Sequence, residues 1–490
     1  MFESGEQLRE YEIWGRLGGG GMSDVWLARH TDLAIPVIVK TLRPDLGVAS
    51  EERAQRMLTE AQLMARISSP YVVRAYSAGT HRDTPYMAQE YVDGIDLNEL
   101  DHARRGSVGR GLPLWFVCEA VADIARALHD AHQHGVLHRD VKPSNFFGSP
   151  ELGTKLGDFG IAVAKPVGQL VSGDASGTLR FMAPEALRGE TLDRRADVFG
   201  LGAAAFDLRY GSPPFPDPRV LLDGRPRPAF PPPTSPQEAY FQHVLARMLA
   251  HDRQERYTTL ARPGRLLGAL ARNAPRPAAP MRSSDCVTCN GTRITTEVGN
   301  IAEADVDGIV NSANWQLHMQ TGVGAALRRA GGDEIEAEAQ SGGEHPLGAC
   351  IVTGPGRLRC RKVLHAVSAW QQASCVGRST QRALLVAERL GLRSLALPAL
   401  GTGAAAVAFE ASAAAMASAL RWHLALGGCR LERVRFVLYD ENKRRVFADV
   451  LEAALLGESD DLADPGLEAS AEDSDNDVST DGPTYFAPGT

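Results

Sequence analysis

HRDVKPSN, residues 138–145, sets one acid, two cations, a proline and an amide within eight positions. Just upstream, Val117, Val121, Ile124 and Leu128 recur on one helical face, and Gly135 marks the end of that helix. The segment therefore reads as a loop held against a rigid helix. Asp140 is placed to orient a hydroxyl nucleophile, and Lys142 to neutralise a transferring group. Asn145 and, in GDFG, Asp158 offer hard oxygen ligands suited to Mg²⁺. Any one of these residues taken singly is commoner as a cap or a turn; the ordered set is what asks for a phosphoryl donor.

Phosphoryl transfer needs positioning and charge neutralisation more than covalent chemistry, so further parts are sought upstream. LGGGGMSDV, residues 17–25, places Gly18, Gly19, Gly20 and Gly21 between two strand-like runs, where backbone can approach phosphates. A plain hairpin turn reads the same glycines equally well. PVIVK ends an apolar run at Lys40, a cation for the α- and β-phosphates or else a solvated strand end. Glu60, on the helix-periodic stretch RMLTEAQLMARI, is the acid expected to pair with it.

Taken in order, the glycine run, VIVK, the helical glutamate, HRDVKPSN, DFG and the APE of Ala183–Glu185 resemble a bacterial eukaryotic-like serine/threonine protein kinase over about residues 11–268. The resemblance implies a two-lobed α+β fold with ATP between the lobes. Leu17 and Val25 would line the nucleotide site, Glu90 and Val92 would give backbone contacts to adenine, and Gln89 would be the gatekeeper. It also implies that Asp197 braces the catalytic loop and Arg256 pairs with Glu185. Ser23 stands where the family has a third glycine. Arg139 before Asp140 implies control by phosphate on the following segment, with Ser172 and Ser176 the expected phosphosites and Thr178 lining the substrate site. Protein substrates follow from the family, as does pairing of kinase copies for autophosphorylation. A kinase half that serves only as a scaffold is the rival reading, and intact Lys40, Asp140 and Asp158 stand against it.

Beyond the kinase-like part, ARNAPRPAAPMRSSD is rich in Pro, Ala and Ser, and residues 269–285 read as a linker. Residues 286–456 then alternate. DGIVNSAN, RSLALPAL and VRFVLYD read as buried strands; GVGAALRRAGGDEIEAEAQ and FEASAAAMASALRWHL read as helices. GNIAEADVDGIVNSAN, GVGAALRRAGG and LALPALGTG resemble a macrodomain, a three-layer α/β fold that binds ADP-ribose. The resemblance implies that Asn314 meets the distal ribose and that Gly322 and Val323 present N–H groups to the diphosphate. Gly401, Thr402 and Gly403 would form the opposing loop, with Tyr439 near adenine. A sealed domain that binds nothing is the plain alternative. Asn300 stands where the family reads adenine with an aspartate, and Ala404, Ala405 and Ala406 replace its glycines. Gly324 falls where hydrolytic members carry an acid, so a reader is expected rather than a hydrolase.

Composition bounds the rest. With 44% apolar and 23% charged residues, the 490-residue chain is an ordinary globular protein of several domains. Ten acids and no Lys or Arg fall in residues 457–490, so the net charge of −8 becomes +2 for the body. That tail reads as disordered, and nothing in the body calls for nucleic acid. No apolar run reads as a membrane span or an N-terminal signal core, and the expected location is cytoplasmic. Cys118, Cys286, Cys289, Cys350, Cys360, Cys375 and Cys429 fit reduced thiols better than a disulfide framework. Cys286 and Cys289 in CVTC lack the second ligand pair of a zinc knuckle.

Overall fold

The computed structural model describes residues 2–19, 23–42, 50–149, 152–159, 179–224, 226–283, 286–370 and 373–456. Six antiparallel strands open the chain, in the order Gln7–Leu8, Tyr11–Gly19, Ser23–His30, Pro36–Leu42, Thr84–Glu90, Ala75–His81. Alternation assigns their two faces. Tyr11, Ile13, Trp26, Val37, Val39 and Tyr86 form a sealed cluster on one, and Leu17, Leu27 and Ile38 point to the other. The Ser50–Met64 helix crosses beside this sheet. A second, helical layer follows, built on Leu114–Gln133, whose apolar stripe from Trp115 to Ala131 is buried. The Ala261–Asn273 helix lies close against it. A Cβ on Gly264 would sit 3.0 Å from that of Ala125, so the close approach depends on a residue without one. A small sheet of Ile95–Asp96, Phe146–Ser149 and Gly153–Leu156 joins the layers.

The later part of the chain folds around an eight-stranded sheet. Its order is Met281–Arg282, Val287–Cys289, Thr292–Val298, Arg433–Leu438, Ser394–Leu397, Gly308–Ala313, Lys362–Val367, Cys350–Thr353. The five strands from Thr292–Val298 to Lys362–Val367 run parallel, and antiparallel strands close both edges. Runs of consecutive buried residues, as in Gly308–Ala313 and Ser394–Leu397, are what a sheet covered on both faces requires. Two clusters cover it, one around Leu384, Met416 and Phe436, the other around Ile309, Leu327 and Val363.

The structure adds detail to three of these expectations. The linker assigned to 269–285 is partly ordered: the helix runs to Asn273 because Leu267, Leu270 and Ala271 extend its buried stripe. Met281–Arg282 then finds an antiparallel partner in Val287–Cys289. The stretch 322–340 is two helices, Gly322–Gly331 and Glu334–Gln340, broken at Gly332 with φ 111°. Residues through Leu456 also pack together as one compact unit. Trp422, Leu385 and Leu426 of the later part join the core of the helical layer. The acidic segment 457–490 lies outside the described residues. Among the described residues no helix is long and apolar enough to cross a membrane.

Candidate functional site

The loop after the Leu114–Gln133 helix is held from below by a single carboxylate. Asp197, at the start of the Arg194–Tyr210 helix, accepts the backbone N–H of His138 (3.0 Å) and of Arg139 (2.8 Å), and pairs with His132 (2.7 Å). Burial opposes its charge, yet the imidazoles and N–H groups around it hold it below the usual carboxylate range. Arg139 adopts φ 67°, a left-handed conformation rare for a side-chain-bearing residue. His138 is fully buried, 4.7 Å from the Phe159 ring and hydrogen-bonded to the Gly157 carbonyl, and burial lowers its pKa.

Asp140 divides its two oxygens. Oδ2 pairs with Lys142 (2.8 Å), while Oδ1 is buried with no hydrogen-bond partner among the described residues. That orphan oxygen is the acceptor a substrate hydroxyl would need. Asn145 donates its amide N–H to the Asp140 carbonyl (2.7 Å), which leaves its amide oxygen as the atom available to a cation. Across the cleft, Lys40 is bonded to Asp158. Burial opposes both charges, but each holds the other, so the Lys40 pKa is raised and that of Asp158 lowered. The expected Lys40–Glu60 pair is replaced by this one. Glu60 lies close enough to raise the lysine electrostatically, while burial lifts Glu60 itself to about 7 against the opposing pull of Lys40. Asp158, in a left-handed turn at φ 54°, reaches the ammonium directly. The oxygen donors of Asp158 and Asn145 suit a hard divalent cation such as Mg²⁺.

Leu17, Val25 and Ile38 line the underside of the first sheet, and Val92 is buried in the connecting segment between the strands Thr84–Glu90 and Ile95–Asp96. The Glu90 side chain pairs with Lys155 (2.6 Å), and its backbone N–H donates to the Arg74 carbonyl (2.8 Å). Gly18 and Gly19 close the Tyr11–Gly19 strand. Gly20, Gly21, Ser172, Ser176 and Thr178 lie outside the described residues. Glu185 and Arg256 form the expected pair, bidentate at 2.6 and 2.9 Å.

A second cleft of about 770 Å³ opens at the C-terminal ends of the parallel strands, within the range of nucleotide-sized pockets. It gathers Asn300, Asn314, Gly322, Val323, Gly401, Thr402, Gly403 and Tyr439, every position that the sequence assigned to it. Gly322 opens the Gly322–Gly331 helix, and Thr321 gives no side-chain cap there, so the first-turn N–H groups are left to a ligand. The Gly401 N–H is held by Ser312 (3.0 Å), which fixes the opposing loop. Ala406 adopts φ 52°, a strained conformation at one of the replaced glycines. Asn300 lies at the rim but caps a short turn, accepting the Ala302 N–H (3.1 Å) and donating to Glu303 (2.9 Å). Tyr439 is exposed, with the Lys443 ammonium 5.1 Å from its ring centre. Gly324 is buried against Met319 and faces Asn311 rather than the cleft. Sequence reading missed His318, which lines the cleft and whose N–H caps the Asn314 amide oxygen (3.1 Å). Its place four residues after Asn314 on the same loop was the available signal. Of the CVTC cysteines, Cys289 is buried in the sheet core and Cys286 faces Ser283.

Residues 11–262 match the protein kinase domain family, and the chain belongs to it. Residues 310–416 match the macro domain family. The chain is 37% identical over 283 residues to the serine/threonine-protein kinase PknB of Mycolicibacterium smegmatis, covering 56% of this chain and 42% of that one. To PknF of Mycobacterium tuberculosis it is 36% identical over 275 residues, covering 54% and 57% respectively. It thus spans about half the length of these curated relatives. The solved PknI kinase domain of M. tuberculosis aligns with 55% of this chain and all of its own length, at 28% identity and a TM-score of 0.44.

Proposed function

We propose that the chain transfers the γ-phosphoryl group of ATP to serine or threonine hydroxyls of proteins, and that its macrodomain binds ADP-ribose. The carrying observation is the buried, unpartnered Oδ1 of Asp140, set between Lys142 and the Lys40–Asp158 pair. Asp140 Oδ1 accepts the hydroxyl hydrogen and aims the oxygen at the γ-phosphorus. As the new O–P bond forms and the bond to the β-phosphate oxygen breaks, Lys142 offsets charge on the transferring group and Lys40 holds the α- and β-phosphates. The hydroxyl proton passes to Asp140. Asp158 and Asn145 would hold Mg²⁺, which would supply charge neutralisation. Ser172 and Ser176 are the proposed sites of autophosphorylation between copies of the chain, and 11–268 and 286–456 the proposed modules.

Purified protein with labelled ATP and Mg²⁺ tests the kinase reading. Asp140→Asn is expected to lower transfer by about 10²–10⁴-fold while nucleotide affinity stays near that of the parent. Transfer at the parent rate would end the assignment. For the macrodomain, titration calorimetry of the full chain with ADP-ribose is expected to show weak binding, since Asn300 is committed to its cap and offers no charge to adenine. Asn300→Asp should tighten it by roughly tenfold, the worth of one charged hydrogen bond. Absence of heat up to millimolar ligand in both chains would leave a module that does not read ADP-ribose.

A further inference from the structure

The macrodomain touches the kinase at three places around one feature, the passage between its lobes. On the sheet-bearing lobe, the Leu347 N–H donates to the Arg16 carbonyl (2.8 Å), and the Leu347 side chain lies where a Cβ on Gly15 would be 3.0 Å away. Leu317, Leu347, Val367 and Cys375 share one apolar cluster with Leu17 and Ile38, the underside of the glycine-bearing strands. At the passage itself, Asp93 accepts the N–H groups of Gly377 and Arg378, both at 2.9 Å. These are first-turn groups of the Val376–Arg389 helix, whose own Cys375 gives no side-chain cap, so the kinase supplies the cap. Arg378 also donates to the Gly94 carbonyl (2.8 Å). On the helical lobe, Arg382 holds Glu99 bidentately at 2.6 and 2.8 Å, and Trp422 meets Phe116 edge-on at 5.5 Å.

One rigid body is thus fastened to both lobes and to the segment joining them. Nucleotide entry and exit in a two-lobed cleft require the lobes to rotate about that segment. We infer that the macrodomain is a clasp across the kinase lobes, and that nucleotide exchange requires this clasp to loosen. The clasp restrains opening in both directions, so it slows association and dissociation together; its Leu347 also packs beside Leu17 and Ile38 at the nucleotide site, so the two rates, not the affinity, are the readout. A contact that merely stabilised the fold would alter neither rate.

The inference rests on the nucleotide site proposed above, and its test reads binding rather than phosphoryl transfer. Stopped-flow fluorescence with a mant-labelled ADP measures both rates on the full chain. Arg382→Glu is expected to raise both by about tenfold, the effect of losing a close interfacial charge pair. Combining it with Glu99→Arg should return both rates towards the parent, which misfolding would not do. Leu347→Ala carries the same test without a charge change and should also speed exchange. Unchanged rates in Arg382→Glu and Leu347→Ala, with nucleotide still bound, would overturn the clasp alone. No nucleotide binding by any of these chains would overturn both the clasp and the ATP reading.

Discussion

Arg256 is wholly withdrawn from solvent, yet it carries a charge. Its guanidinium meets Glu185 through two parallel bonds, donates to the carbonyls of Ala250, His251 and Arg195, and lies 4.9 Å from the Phe199 ring centre. Every donor it directs is answered, which is the condition for a buried charge to be tolerated. Arg256→Ala would strand the Glu185 carboxylate without compensation. Thermal and denaturant unfolding should show a loss of about 3–5 kcal/mol. A loss under 1 kcal/mol would mean that the glutamate finds water. This pair was legible because each partner sits in a recognisable stretch of sequence. The Lys40 partner was not. Spacing brings both Glu60 and Asp158 to the lysine, and only the turn at Asp158 decides which carboxylate bonds it.

Among elements, two buried histidines of the macrodomain set opposite limits on pH. His365, on the Lys362–Val367 strand, accepts from Asn311 (3.1 Å) and bonds Thr353 (3.0 Å) in a network suited to the neutral ring. Burial lowers its pKa to about 4. The unfolded chain takes up this proton near pH 6.5, so the contribution of His365 is intact above 6.5 and is lost as pH falls towards 4. His423, on the Phe409–Ala425 helix, goes the other way. Burial opposes its charge, but the Cys429 sulfur and the Glu388 carboxylate outweigh this and raise it to about 9. Its contribution is full below 6.5 and is lost as pH rises through 9. The thermal midpoint should therefore fall on both sides of about pH 6.5, and His365→Gln should flatten the acid limb alone. An acid limb unchanged in that variant would remove His365 as its source. The elements carrying these histidines were unequally visible. Phe409–Ala425 and the central strands announced themselves as apolar runs bounded by turns. The Val376–Arg389 helix and the strands Cys350–Thr353 and Lys362–Val367 were missed. Arg382 in the helix and His365 in the last of these strands interrupt the apolar pattern, and their partners Glu99 and Asn311 lie far away in sequence.

At the scale of the molecule, sequence alone gave two modules and a spacer, and it gave no sign of their union. The residues that join them, Asp93 with Gly377 or Glu99 with Arg382, are some 280 positions apart and belong to no shared motif. A charge on one surface helix looks solvated until its partner surface is known. The apolar share of the joint has a consequence for the making of the protein. Leu17, Phe116 and Leu100 lie in the half of the chain that leaves the ribosome first, and Leu347, Leu385 and Trp422 in the half that follows. At ~5–20 residues per second, roughly 170 residues of macrodomain take on the order of 10–30 s to appear. Through that interval the newborn kinase shows water, and every neighbouring nascent chain, a greasy flank that its own tail end has yet to cover.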